Sequence, residues 1–178
     1  MSSARDRILD AYEDLLAVEG ERYATVEAVA SRAGVSKGGV LYHFPSKDRM
    51  AGALCDRLAA LAALDAAAMR TSPEGPARYY VRSSHYVGTP LDRALVAVAR
   101  LRQAGDPRAQ AVIETASEQW LHVLQEALGD YDVAMAVKLM GDGLYYNALH
   151  SALGGHPQET AADDGLLSVI DRLMPPSP

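Results

Sequence analysis

Apolar residues along this chain recur at helical rather than strand spacing. Ile8, Leu9, Tyr12, Leu15 and Leu16 fall at i, i+1, i+4, i+7 and i+8, one face of a helix that Gly20 can stop. Thr25 is suited to cap a helix over 26–33, in which Val26, Val29, Ala30 and Ala33 share a face. Gly34-Val35 interrupts it and Ser36 caps another short helix. That helix ends at Phe44-Pro45, because proline disfavours helical geometry in the residue before it. Ser46 caps a long fourth helix from about Lys47 to Met69, roughly 35 Å at a rise of about 1.5 Å per residue.

Thr71-Ser-Pro-Glu-Gly-Pro76 reads as a linker rich in turn formers. Helices are then expected from Ala77 to Tyr86, from Leu91 to Gln103, and from Pro107, capped by Asp106, to a stop at Gly129. Two more run from about Asp132 to Leu153, closed by Gly154-Gly155, and from a cap at Asp164 through Leu173. The tail from Pro175 is expected to fray. The fold class is therefore all-α, with about nine helices: a three-helix N-terminal domain and a helical C-terminal domain. The boundary is expected after residue 46, giving domains 1–46 and 47–178 with the helix over 47–69 connecting them.

Composition narrows the function classes. Among 178 residues, 17 Lys and Arg stand against 23 Asp and Glu, a net charge of −6, so no global basic field points to nucleic acid. One cysteine, Cys55, excludes an intrachain disulfide and a cysteine-rich metal site; it reads as a small packing residue. The N-terminus leads into an amphipathic run rather than a signal peptide, and no apolar stretch is long enough for a membrane span. A cytoplasmic protein with no membrane partner is expected. No Gly-rich phosphate loop, HExxH or GxSxG appears, so no enzyme chemistry or cofactor is indicated.

The informative stretch is 25–50. Two short helices joined by Ala33-Gly34-Val35-Ser36 have the layout of a helix-turn-helix: Gly34 tolerates the positive φ of the tight turn and Val35 plugs the angle. From Arg32 to Met50 the cations Arg32, Lys37, Lys47 and Arg49 face only Asp48, a local +3 in a protein of net −6. Gly38 and Gly39 in the first turn of the second helix cost about 1 kcal/mol each against alanine. Close approach of the backbone to DNA is one reason to accept that cost; tight packing on a neighbouring helix is the other. Leu41 and Phe44 are expected in the core.

These residues carry a resemblance. The amphipathic first helix, Thr25 opening the second, Ala33-Gly34-Val35-Ser36, Leu41-Tyr42-His43-Phe44, and Lys47-Asp48 starting a long helix make residues 5–50 similar to the DNA-binding domain of the TetR (tetracycline repressor) family of bacterial transcription regulators. Asp142-Gly143-Leu144 is similar to a recurring family feature. The resemblance implies a two-domain, all-α homodimer that binds a double-stranded DNA operator and answers to a small-molecule effector. Carried onto this chain, it makes Thr25 and Ser36 caps near phosphates and Tyr42 and Lys47 phosphate ligands. Lys37, Gly38 and Gly39 would face the groove, with His43 at its edge. With two glycines in the recognition helix, direct base readout rests on few side chains and groove shape supplies the rest.

The C-terminal two-thirds are less explicit. Six of the nine tyrosines lie after residue 78, and with Trp120 they either line a mixed polar and apolar cavity or sit at helix–helix and subunit interfaces. Tyr86, Trp120 and Tyr146 are the candidate ligand-lining residues. Glu118 and His122 have i, i+4 spacing but read as a solvated pair rather than metal ligands. Gly141 and Gly143 inside a helix suggest close approach of another helix, and with Leu166, Leu167, Ile170 and Leu173 they suggest a dimer seam, with intrachain packing the competitor. The leading function is a DNA-binding transcriptional repressor released from a palindromic operator by a ligand. The alternative is a helical interaction module of the same fold, lacking DNA binding or ligand response.

Overall fold

The computed structural model describes residues 3–153 and 162–173, and the described residues form nine helices and no strand. They are α1 (Ala4–Val18), α2 (Val26–Ala33), α3 (Lys37–His43), α4 (Lys47–Arg70), α5 (Pro76–Ser83), α6 (Pro90–Gln103), α7 (Pro107–Leu128), α8 (Tyr131–Leu153) and α9 (Ala162–Leu173). None of the described helices is long and apolar enough to cross a membrane.

Local chemistry sets most helix starts. Ser3 and Asp6 form a reciprocal capping box on α1, as do Thr89 and Asp92 on α6, where Pro90 takes the first helical position. The Ser3 hydroxyl and backbone N–H hold the Asp6 carboxyl below the usual carboxylate range. Asp130 Oδ1 accepts from the N–H of Asp132 and Val133 at 2.8 and 3.1 Å, opening α8. Two ends differ from the sequence reading. α5 stops at Ser83 instead of Tyr86, because the hydroxyls of Ser83 and Ser84 both donate to the Tyr80 carbonyl, at 3.2 and 2.6 Å, in competition with the helix ladder. α9 begins at Ala162, so position 164 lies inside the helix rather than at its cap. Gly154-Gly155 and the tail from Pro175 lie outside the described residues.

The chain packs as two units. The first comprises Met1–Ala62 and Gly88–Ala116, the second Ala63–Val87 and Ser117–Pro178. These packing boundaries do not follow the functional boundary expected after residue 46: α6 and the start of α7 pack with α1–α3.

In the first unit α1 packs against α2 and α6, and α3 against α2 and α1. All five apolar positions that the α1 periodicity marks are buried, together with Val29, Ala30, Val40, Phe44, Met50, Leu54, Leu58, Val98 and Leu101. A buried carboxylate shares this core. Glu13, only 3% exposed, accepts from Arg57 Nη1 of α4 at 2.8 Å and pairs with Arg93 Nε of α6 at 3.4 Å. Arg57 Nη1 also meets Asp10 at 2.8 Å.

In the second unit Met69, Val81, Val123, Leu124, Val137, Leu167 and Ile170 form the core, with Tyr80 and Ala134, and α5 packs against α8 and α9. Leu167 and Ile170, half of the apolar set considered for a dimer seam, are thus buried within the chain. Gly141 is required by close approach: a Cβ there would sit 2.5 Å from Tyr80 Cε1 and 2.7 Å from Ser84 Oγ. Gly143 faces nothing within 4 Å.

Two stability measurements follow from this packing. Glu13→Ala should remove the buried partner of Arg57 and leave only its pairing with Asp10, costing about 1–3 kcal/mol in urea unfolding, the range for a lost hydrogen bond to a charged group. Gly141→Ala should lower the melting temperature despite its better helix propensity, because overpacking costs about 1–3 kcal/mol against a propensity gain of about 1. Gly143→Ala meets no atom of its own chain and should raise it; a loss there would report contact with a second molecule.

Candidate nucleic-acid interface

The turn between α2 and α3 is built on Gly34, in left-handed geometry at φ 66°, ψ 39°, whose N–H donates to the Ala30 and Ser31 carbonyls. A side chain there would be strained, which is why glycine stands at this corner. Val35 packs half-buried against the first core, fixing the angle between the helices. Thr25 Oγ1 accepts from Ala28 N–H at 3.1 Å, Ser36 Oγ from Gly39 N–H at 3.0 Å and Ser46 Oγ from Arg49 N–H at 3.2 Å. The three expected caps therefore form, and the hydroxyls of Thr25 and Ser36 are committed to their own helices.

The phase of α3 corrects the sequence reading. Val40 and Phe44, four residues apart, are the inward pair, at 0% and 2% exposure. Leu41, expected in the core, is rotated about 100° from Val40 and is 38% exposed. The outward face carries Lys37, Gly38, Leu41 and Tyr42, with Tyr42 84% exposed and its ring edge-on to half-buried His43 at 5.1 Å. The glycines are not explained by packing. A Cβ on Gly38 would make only an ordinary contact, 3.8 Å from Ser36 Oγ, and one on Gly39 would lie 3.4 Å from the same oxygen and 3.6 Å from Val35 Cβ. Nothing in the chain itself recovers what these two glycines cost the helix.

Electrostatics changes the picture more. Three of the four cations counted along the sequence have carboxylate partners from outside the stretch or across the turn. Arg32 Nη2 meets Glu19 Oε1 at 2.7 Å, Lys37 Nζ meets Glu27 Oε1 at 2.6 Å, and Lys47 Nζ meets Glu21 Oε1 at 2.7 Å while donating to the Glu21 carbonyl at 2.7 Å. Lys37 holds the Glu27 carboxyl below its ordinary range. Exposed pairs of this kind contribute about 0–1 kcal/mol, so an external anion could replace each glutamate at little cost. Sequence spacing hid these partners because Glu19 and Glu21 lie one helix upstream.

The second unit separates the three candidate ligand residues. The Trp120 indole N–H donates to Asp65 Oδ2 at 2.9 Å, Tyr79 OH donates to Asp65 Oδ1 at 2.9 Å, and Trp120 lies 6.4 Å from the Tyr80 ring. Tyr80 OH in turn donates to Asp142, which Lys138 bridges at 2.6 Å. Tyr86 lies edge-on to Tyr145 at 6.5 Å, whereas Tyr146 is 61% exposed against His150. Asp65 was not singled out from sequence; only its convergence in space with Trp120 and Tyr79 marks it. His122 pairs with Glu126 rather than Glu118, and no group of three metal-ligating side chains occurs among the described residues. Burial, then Asp106, pushes the Cys55 thiol up to about 11, which keeps it protonated and unreactive at neutral pH.

The family model described as bacterial regulatory proteins, tetR family, matches residues 8–54, the span from α1 through the first turns of α4. Over these residues the chain carries a module of the tetR type. No curated protein sequence matches. Solved structures similar over the whole chain include a transcriptional regulator from Rhodococcus sp. Rha1, 25% identical with TM-score 0.71, covering 99% of this chain and 100% of that one. The multidrug binding protein EbrR complexed with malachite green is 22% identical with TM-score 0.70, covering 96% and 98%. NalD, the secondary repressor of the MexAB-OprM multidrug efflux pump in Pseudomonas aeruginosa, is 18% identical with TM-score 0.58, covering 98% and 96%.

In this TetR module the exposed Tyr42 hydroxyl and the Lys47 ammonium are the expected phosphate ligands. Tyr42→Phe and Lys47→Ala should weaken binding to all duplex sequences alike, and Lys47→Ala should flatten the salt dependence by about one unit of slope per subunit. Glu21→Gln, which removes the carboxylate partner of Lys47 and keeps its backbone carbonyl acceptor, should tighten binding. Fluorescence anisotropy at several salt concentrations reads all three; an unchanged slope for Lys47→Ala removes it from the DNA.

Proposed function

We propose that the chain is a DNA-binding transcriptional regulator, a repressor that holds a palindromic operator as a homodimer and is released by a small-molecule ligand. The observation that carries this reading is the outward face of α3, where two glycines without a packing role sit between Lys37 and the exposed Leu41-Tyr42 within a TetR module. The glycines let the backbone come close to base edges. Lys37 exchanges Glu27 for a base acceptor or a phosphate, Lys47 exchanges Glu21 for a phosphate, and Tyr42 OH donates to another. Thr25, Ser36 and His43 flank these contacts. Few side chains reach bases, so one subunit binds weakly, and a two-fold pair with recognition helices about 34–36 Å apart supplies the affinity.

Residues 1–46 are the DNA-reading part and 47–178 the regulatory part, with α4 common to both packing units. Leu139, Gly143 and Tyr146 fall at i, i+4 and i+7 on α8 and all are exposed, an apolar stripe that supports α8 as the subunit seam. The solved complexes of EbrR with malachite green and with ethidium support an aromatic ligand. Of the candidate residues, Trp120 has the strongest case, because its indole and the Tyr79 hydroxyl both donate to the Asp65 carboxylate while the Tyr80 ring lies 6.4 Å from the indole, a pairing of π-faces and negative charge that suits an aromatic cation. Tyr86 extends the aromatic set; Tyr146, on the exposed stripe, reaches a ligand only alongside the second subunit. A ligand releases DNA only by as much as it favours the non-binding state, typically about 1–3 kcal/mol of coupling.

Two measurements test this. Trp120 is the single tryptophan, so an inducer should change its emission and weaken operator binding over the same titration. Trp120→Phe should keep the fold and DNA affinity while shifting the inducer response. A true inducer whose effect survives Trp120→Ala, Tyr86→Ala and Tyr146→Ala unchanged would move the ligand site elsewhere. For assembly, light scattering at micromolar concentration should give a dimer for the native chain and a weakened one for Gly143→Leu; a native monomer with full operator affinity overturns the two-fold reading.

A further inference from the structure

The first unit contains a pocket that the DNA-reading residues do not account for. It has a volume of about 220 Å³ and is lined by Arg5 of α1, by His43, Phe44 and Pro45 at the end of α3, by Asp48, Arg49, Gly52, Ala53 and Asp56 of α4, and by Arg108 of α7. Its guanidinium groups are placed in different ways. Arg5 lies over the Phe44 ring, its Cζ 4.9 Å from the centroid, so the group is held at the wall by an aromatic face rather than by an acid. Arg108 crosses α4 at Gly52, where a Cβ would stand 3.4 Å from Nη1, and is committed to Asp48 and Asp106 at 2.7 Å each. Of the three guanidinium groups in the lining, Arg5 and Arg49 have no carboxylate within ion-pair distance among the described residues, whereas Arg108 has two. The lining carries three guanidinium groups and two carboxylates, and one of those carboxylates is already spent on Arg108.

We propose that this pocket is a phosphate-binding site in which Arg5 and Arg49 hold the anion. A guanidinium fork matches phosphate oxygens in geometry and charge, and two such groups with no internal acid leave their donors to an external one. The remaining carboxylate, Asp56, repels an anion and limits its affinity. Two sources carry the same group: a backbone phosphate of bound DNA, or the phosphate of a free monoester that would occupy the pocket in its place. Only the first rests on the DNA-binding reading.

The test uses the full chain. Amide signals of Arg49, Gly52 and Ala53 are followed by NMR during titration with inorganic phosphate at constant ionic strength, and duplex binding is measured in parallel across salt concentrations. For a free-phosphate site the three signals shift saturably, Arg5→Gln or Arg49→Gln weakens that binding about tenfold, as expected for losing one charged hydrogen bond, and Asp56→Asn tightens it. For a DNA-backbone site the same arginine variants lower the salt slope of duplex binding by about one per subunit, with melting temperatures unchanged. Either result supports the phosphate site and assigns its source. If phosphate gives no saturable shift in the native chain or in Asp56→Asn, and the arginine variants leave the salt slope intact, the proposal is overturned. A native chain that binds no duplex overturns the DNA reading alone and leaves the phosphate titration to decide this one.

Discussion

The first packing unit depends on the burial of one carboxylate. Glu13 sits among the apolar residues of α1, and a charge there is tolerable only because guanidinium groups reach it from two other helices, Arg57 from α4 and Arg93 from α6. A hydrophobic face tolerates sliding and rotation; a desolvated charge with two directional partners does not. Burial works against the Arg57 charge, but its hydrogen bonds to Glu13 and Asp10 outweigh that and hold its pKa above the usual value. This explains why α6, distant in sequence, packs with the helix-turn-helix. It also places the following turn, where the Asp106 carboxylate caps α7 and holds Arg108 against Asp48 at the start of α4. The start of α4, beside Lys47, is thereby held to the α6–α7 turn as well as to α3.

Against that fixed frame, the surface of α3 is cheap and replaceable. Its helix is short, its first turn is weakened by glycine, and its cations are held by surface pairs rather than buried ones. Stability is concentrated in the three-helix charge cluster and the core around Val40 and Phe44, while the outward face is free to be specified by a partner.

Much of this was legible in the sequence. Capping residues announce themselves because Thr25, Ser36, Ser46 and Asp106 each act on an N–H two or three positions away, and Gly34 marks its turn because few other residues adopt its geometry. Periodicity phased α1 well, since fifteen residues give four turns of pattern. It failed on α3, where seven residues make fewer than two turns and Leu41 and Val40 are equally apolar. The candidate site was legible as a set of residues but not as an electrostatic surface. Charge counting along 32–50 found the cations and missed Glu19, Glu21 and Glu27, which meet them only after α1 and α2 fold. Glu13 was invisible for the same reason, as was the gathering of Trp120 and Tyr79 on Asp65. Partners that come from elsewhere in the chain leave no local signal.

The glutamates that occupy Lys37, Lys47 and Arg32 also bear on time. If Lys37 and Lys47 make the proposed phosphate contacts, each contact on duplex of arbitrary sequence displaces a carboxylate that returns as soon as the contact slips, which shortens the stay on wrong DNA. At the right site, the groove fit of α3 is added to the same exchanges and the complex persists. A genome presents millions of wrong sites for each right one, and a reader that carries its own competing anions spends less of its search standing still.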